Sequence, residues 1–301
     1  MARERNDNDR LLDEQLLSFI LALVRSEKLG REAVAIINET EPELAAMIRA
    51  SRTGLVTRQD TTRMNKLLGD IRTSRAIAWR RVEVLVRREL ERLAKSEPRV
   101  MRTAIRNVSD EKIRMPTEAV LLALLAGKFE GRTLSEWIRV QRENDFARIA
   151  TQVRLGKMLR EPPDRTARRV LGEARLLGAN GATEQTRQRL FEITTLAGLF
   201  IANQARREFV ILNGDLFDRE LYVAVLDNRT TPICRSLHGK VFEIGVGPYP
   251  PLHFWCRSLR IALLRGVGPP VFLGWAAWLA DQDEDTQEII RRAGRDRQFE
   301  A

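Results

Sequence analysis

The chain holds two histidines and two cysteines, and all four fall in one 23-residue window: Cys234, His238, His253 and Cys256. Independent placement would bring them so close on the order of once in several hundred chains or fewer. The spacing is Cys-x3-His, fourteen residues, then His-x2-Cys. Two short-spaced ligand pairs joined by a loop are how structural Zn2+ sites are commonly written, and thiolate with imidazole suits tetrahedral zinc. The window is rich in Gly and Pro, so a metal would supply folding energy to a turn-rich segment. Two other readings stay open. The cysteines can be buried free thiols, with His238 and His253 hydrogen-bonding their loops, or they can form a Cys234–Cys256 disulfide, which a reducing compartment disfavours.

Around the four sits a second set of residues. The β-rich run Leu221–Leu226 stops at Asp227, the signature of a buried strand running into a turn. Asp227 is placed to make an Asx-turn, with Arg229 as its ion partner, and Gly239 to take a positive φ. Pro250 and Pro251 stiffen the approach to His253, and Arg257 follows the second cysteine.

Taken together, Asp227-x-Arg229-Thr230-x-x-x-Cys234, then Gly239-Lys-Val-Phe242, then Pro250-Pro251-Leu-His253-Phe-Trp-Cys256-Arg257-Ser258 closely resembles the C-terminal signature of the phage Mu F-like family of minor head, or head morphogenesis, proteins. The resemblance covers about 131–265. Many members carry a Cys-Pro-x-Cys pair and end in Cys-Arg-Cys, where Thr231 and Ser258 stand here, which makes His238 the natural fourth ligand beside Cys234, His253 and Cys256. The resemblance implies a low-copy, non-catalytic virion protein at or near the portal vertex, made in the host cytoplasm. Its partners would be the portal protein and the major capsid or scaffolding protein, with packaged double-stranded DNA touched non-specifically.

A competing reading is a metal-dependent nuclease, with His253 or His238 activating water and Asp227 or Arg229 handling phosphate. A hydrolytic site needs a base beyond the metal's own ligands, and a zinc that takes both histidines leaves none. No HExxH, P-loop or Gly-x-Ser-x-Gly occurs, so no catalytic residue is assigned and no small-molecule substrate is expected. A plain DNA-binding module is the third reading.

Charge bears on the DNA question. Lys and Arg number 51 against 41 Asp and Glu, a net +10, and 44 of the 51 are Arg. Such a surplus favours polyanions, and guanidinium forks suit phosphates, although Arg-rich codon usage produces the same composition. Residues 60–115 hold 15 basic and 8 acidic side chains, which makes Arg80, Arg81, Arg87 and Arg88 candidate phosphate contacts. A solvated helix face reads the same way.

The elements that must position these residues are mostly helices. Asp9 caps a first helix whose stop is Gly30, and Pro42 opens a second that runs to about 52. A long helix spans about 60–96, with Pro98 after its end. Pro116 opens a short one, and Thr133 with Glu136 forms a capping box for another that bends near Gly156. Thr166–Leu177 and about 184–212 complete the series. The fold expected is mainly α: an elongated helical body with a small C-terminal α+β, turn-rich module stapled by zinc. The segments are 1–130 (N-terminal helices), 131–265 (the Mu F-like region) and 266–301 (a peripheral helical tail). No apolar run is long enough to span a membrane, and MARERNDNDR has no apolar core, so neither signal peptide nor membrane partner is expected.

Overall fold

Residues 5–51, 58–173, 178–272 and 274–292 are described by the computed structural model. Apolar side chains three and four residues apart build α1 (Asp7–Asn38), α2 (Glu41–Ala50), α3 (Arg58–Arg106), α4 (Glu118–Ala123), α5 (Leu134–Met158), α6 (Pro163–Leu171) and α7 (Glu184–Leu212). The chain then turns to β1 (Phe217–Ala224), α8 (Pro232–Leu237), β2 (Val241–Glu243) and β3 (Ser258–Leu264), and closes with α9 (Trp275–Ala280) and α10 (Glu284–Arg292). The molecule is mainly helical with one small antiparallel sheet, ordered β2-β1-β3. No described helix is long and apolar enough to cross a membrane.

Two compact units share the chain: 1–26 with 90–131 and 196–301, and 27–89 with 132–195. Segments 1–130 and 131–265 are therefore each divided between units, and 266–301 falls wholly in the first.

In the first unit the sheet is the centre. Strand alternation sends Val223 of β1, Val225 just past its end, and Leu259, Ile261 and Leu263 of β3 to one face, where they meet Leu12, Leu16, Phe19, Ile20 and Leu23 of α1. The tail is not peripheral. Trp275, Trp278 and Ile290 are buried in that same core, and the Trp275 indole N–H donates to the Ala224 carbonyl.

Several helix boundaries differ from the sequence reading, each for a packing reason. Asp9 caps α1 from inside the helix: its carboxylate accepts the Asn6 amide at 2.8 Å while the Asn6 side chain accepts the Asp9 amide at 3.0 Å. Gly30 does not stop α1 but admits Phe191, whose ring would lie 2.7 Å from a Cβ there. Pro98 lies inside α3. The hydrogen bond it forfeits is outweighed by the apolar face beyond it, where Met101, Ala104 and Ile105 are buried against Phe209 and Phe217. Gly156 lies in the last turn of α5, where it lets Thr166 approach to 2.3 Å from where a Cβ would stand. The Thr133–Glu136 capping box forms as expected. Positions 52–57, 174–177 and 293–301, which include the expected ends of two helices, lie outside the described residues.

The second unit packs Leu44 and Ile48 of α2, Met64, Leu68 and Ile71 of α3, Ile149 and Val153 of α5, and Ala167 and Val170 of α6. One buried ion pair crosses it. Arg75 donates from Nε and Nη2 to the two oxygens of Asp145 at 2.8 and 2.9 Å, and Asp145 also accepts from Trp79 and Thr186.

Candidate metal centre

Strand β1 has two working faces. While Val223 and Val225 enter the main core, Tyr222 and Ala224 point the other way and cover Cys234 and Cys256. Cys234 comes from α8, which Pro232 opens in its first turn. Cys256 comes from the loop just before β3. Both thiols are buried and unbonded, with the sulfurs 3.7 Å apart, far beyond a disulfide's bond length of about 2.05 Å. Two thiolates on one tetrahedral zinc, each bonded at about 2.3 Å, would stand about 3.8 Å apart.

His253 completes the group. Its Nε2 lies 3.1 Å from the Cys234 sulfur and 2.8 Å from the Thr231 hydroxyl. Its Nδ1 lies 2.6 Å from the Phe254 carbonyl oxygen. A carbonyl can only accept, so Nδ1 carries the proton and Nε2 presents its lone pair toward the sulfurs. That is how the ring is set when a histidine binds metal. The ligand atoms of Cys234, His253 and Cys256 all lie within 4.8 Å of one another. Hydrogen bonding between the thiols lowers Cys256, to about 7, and the same bond, with burial, pushes Cys234 up to about 12, so Cys256 is the thiol that more readily reaches the thiolate form a metal binds.

His238 does not join them. Its Nδ1 accepts the Ala224 amide at 3.1 Å, its ring packs against Phe272, and burial lowers its pKa. The Cys-x3-His spacing misleads because α8 ends between the two residues and turns His238 back to the end of β1. The fourth residue beside the group is Thr231, and Tyr222 adds its hydroxyl 3.5 Å from the Cys234 sulfur. Strand alternation was the one signal that Tyr222 faces the cluster.

The remaining motif residues hold the loops. Asp227 accepts the Arg229 amide at 2.9 Å, an Asx-turn, and takes both arms of Arg257 at 2.7 and 2.6 Å. The Arg229 side chain is looser, at 3.6 Å. Arg257 is the chief reason that the Asp227 carboxyl stays far below the usual carboxylate range. The Thr230 hydroxyl accepts the Asp227 amide and donates to the Val225 carbonyl. Gly239 sits at φ +78°, and the Pro250–Pro251 peptide is cis. Asp227 and Arg257 thus clip the end of β1 to the residue after Cys256.

No family model, curated protein or solved structure matches this chain.

Arg80, Arg81, Arg87 and Arg88 are all exposed on α3, away from this centre in sequence and in the other unit. Arg81 pairs with Glu39 and Arg88 with Glu89.

Proposed function

We propose that this chain is a minor head protein of a tailed phage, acting in head morphogenesis at or near the portal vertex, with a structural zinc holding its 217–264 module together. The observation that carries the reading is convergence. The signature residues span 227–258, and three of them, Cys234, His253 and Cys256, come together in one group whose sulfur spacing suits a tetrahedral metal. Three protein donors are assembled, with the Thr231 hydroxyl beside them, 2.8 Å from His253 Nε2. In this role the centre performs no reaction; it replaces apolar burial in a loop-rich segment. The helical body would dock on the portal, capsid or scaffolding protein, and the net +10 favours sequence-blind contact with packaged DNA.

The nuclease reading is less well supported. Asp227, the carboxylate it would use, is engaged by Arg257 through both oxygens, and His253 belongs to the metal group.

Elemental analysis of the purified, reduced chain tests the centre. One zinc per chain, lost in Cys256→Ser together with the folding of 217–264, is expected; no zinc overturns it. Presence in purified heads, and failed head assembly when the chain is deleted, are expected for the assembly role. Normal heads without it, or metal-dependent cleavage of DNA, would reject that role.

A further inference from the structure

The second unit carries an arginine-lined groove that the sequence did not single out. In α6, Arg165, Arg168 and Arg169 recur at i, i+3 and i+4 and so share one helix face, opposite the buried Ala167 and Val170. That face borders a cavity of about 690 Å³ whose other walls include Gln152 of α5 and Asn180 of the turn before α7. The lining is polar throughout apart from Ala182 and Gly181, so an apolar ligand gains little there.

The arginines are pre-set. Glu161, with its side chain 5% exposed, is bonded by Arg169 through Nε at 3.2 Å and through Nη2, and lies 3.4 Å from Nε of Arg165. One buried carboxylate thus fixes two guanidiniums, which are far less buried than it is, at 67% and 29% exposure. Arg168 stands beside them, exposed and without an ion partner among the described residues. Against these three cations stand Glu161, already engaged, and Glu173 at the edge. The groove retains positive charge: Glu161 holds Arg169 and Arg165 in place before a ligand arrives, and Arg168 supplies a cation that no carboxylate among the described residues neutralises.

On this ground we infer that the α6 groove binds the phosphodiester backbone of double-stranded nucleic acid. The inference rests on the DNA contact proposed above and moves it from α3 to α6. Guanidinium forks match phosphate oxygens in pairs, and holding them in place lowers the ordering cost of binding. Contact of this kind reads no bases.

The test is fluorescence anisotropy of the full chain with a labelled duplex of arbitrary sequence, titrated across salt concentrations. Arg168→Glu is the key variant, because Arg168 has no ion pair to break. About tenfold weaker binding is expected, with the salt slope shallower by about one. Arg168→Lys restores most of the affinity, and Arg80→Glu/Arg87→Glu leaves it nearly unchanged. Wild-type affinity in Arg168→Glu, or loss confined to the α3 variant, overturns the groove and leaves the DNA contact standing. Inorganic phosphate bound at the groove without any duplex binding overturns both, as does a wild-type chain that binds no duplex. The zinc measurement is independent of all these results.

Discussion

The Asp227–Arg257 clip gives the sharpest handle on the metal centre, because it acts on Cys256 without touching a ligand. Arg257→Met keeps the length of the side chain and deletes two charge-assisted hydrogen bonds, each of which is worth about 1.5–3 kcal/mol. The full sum is not lost. Asp227 keeps its Arg229 amide and Thr230 contacts, and water reaches the freed carboxylate at this edge. A net cost of about 2 kcal/mol, falling on the 225–257 loops, is the working figure. If the loops open in rapid pre-equilibrium, a buried thiol labels in proportion to the open population, so 2 kcal/mol becomes about thirtyfold faster labelling of Cys256. The assay is thiol labelling of metal-free, reduced protein, with the modified residue identified by peptide mass. The pH dependence has a fixed sign. Arg257 depresses the folded Asp227 pKa, so its stabilisation is complete above the unfolded value of about 4 and is lost as pH falls further. The gap in urea midpoint between wild type and Arg257→Met should hold from neutral pH down to about 4 and close below it. Labelling within about threefold of wild type would refute the clip, as would a gap that widens in acid.

The two histidines separate cleanly. His238→Gln should keep its zinc, whereas His253→Ala should lose it, both read by elemental analysis. Loss of zinc in His238→Gln alone would return that residue to the ligand set. In the second unit, Asp145→Ala leaves the Arg75 guanidinium, 2% exposed, without its counter-charge. Stranding one partner of a buried pair costs about 3–5 kcal/mol, measured as a fall in urea stability. A cost under about 1 kcal/mol would mean that water reaches the site.

What the sequence made legible was local chemistry. The Thr133–Glu136 box, the turn at Gly239, the Asx-turn at Asp227 and the strand into it all depend on neighbours within a few residues. What it hid depends on distant ones. Strand β3, Ser-Leu-Arg-Ile-Ala-Leu-Leu, is buried at every position, yet an arginine at its centre argues against a buried strand until its partner is known. Arg260 donates to Glu220 at 2.9 Å and lies over the Phe242 ring at 4.5 Å. Glu220 is itself buried in β1, so each charge is tolerated only because of the other. Gly30 misreads for the same reason: a glycine that stops a helix and one that admits a neighbour look alike in sequence. For the centre, Cys234, His253 and Cys256 come together as composition implied, while His238 depended on where one short helix ends.

The contact between α1 and β3 bears on solubility. The Gln15 side chain takes the Ala262 amide at 2.9 Å and returns a hydrogen bond to its carbonyl at 3.1 Å, and Asn8 takes the Leu264 amide at 2.7 Å. Two side-chain amides thus stand where the peptide groups of a neighbouring strand would lie. The Ala262–Leu264 end of that edge is thereby capped against a strand from another molecule, and the opposite edge is β2, only three residues long. Sheets with open edges template aggregation when chains are crowded. This one is capped at one end of β3 by glutamine and asparagine and kept short on the β2 side.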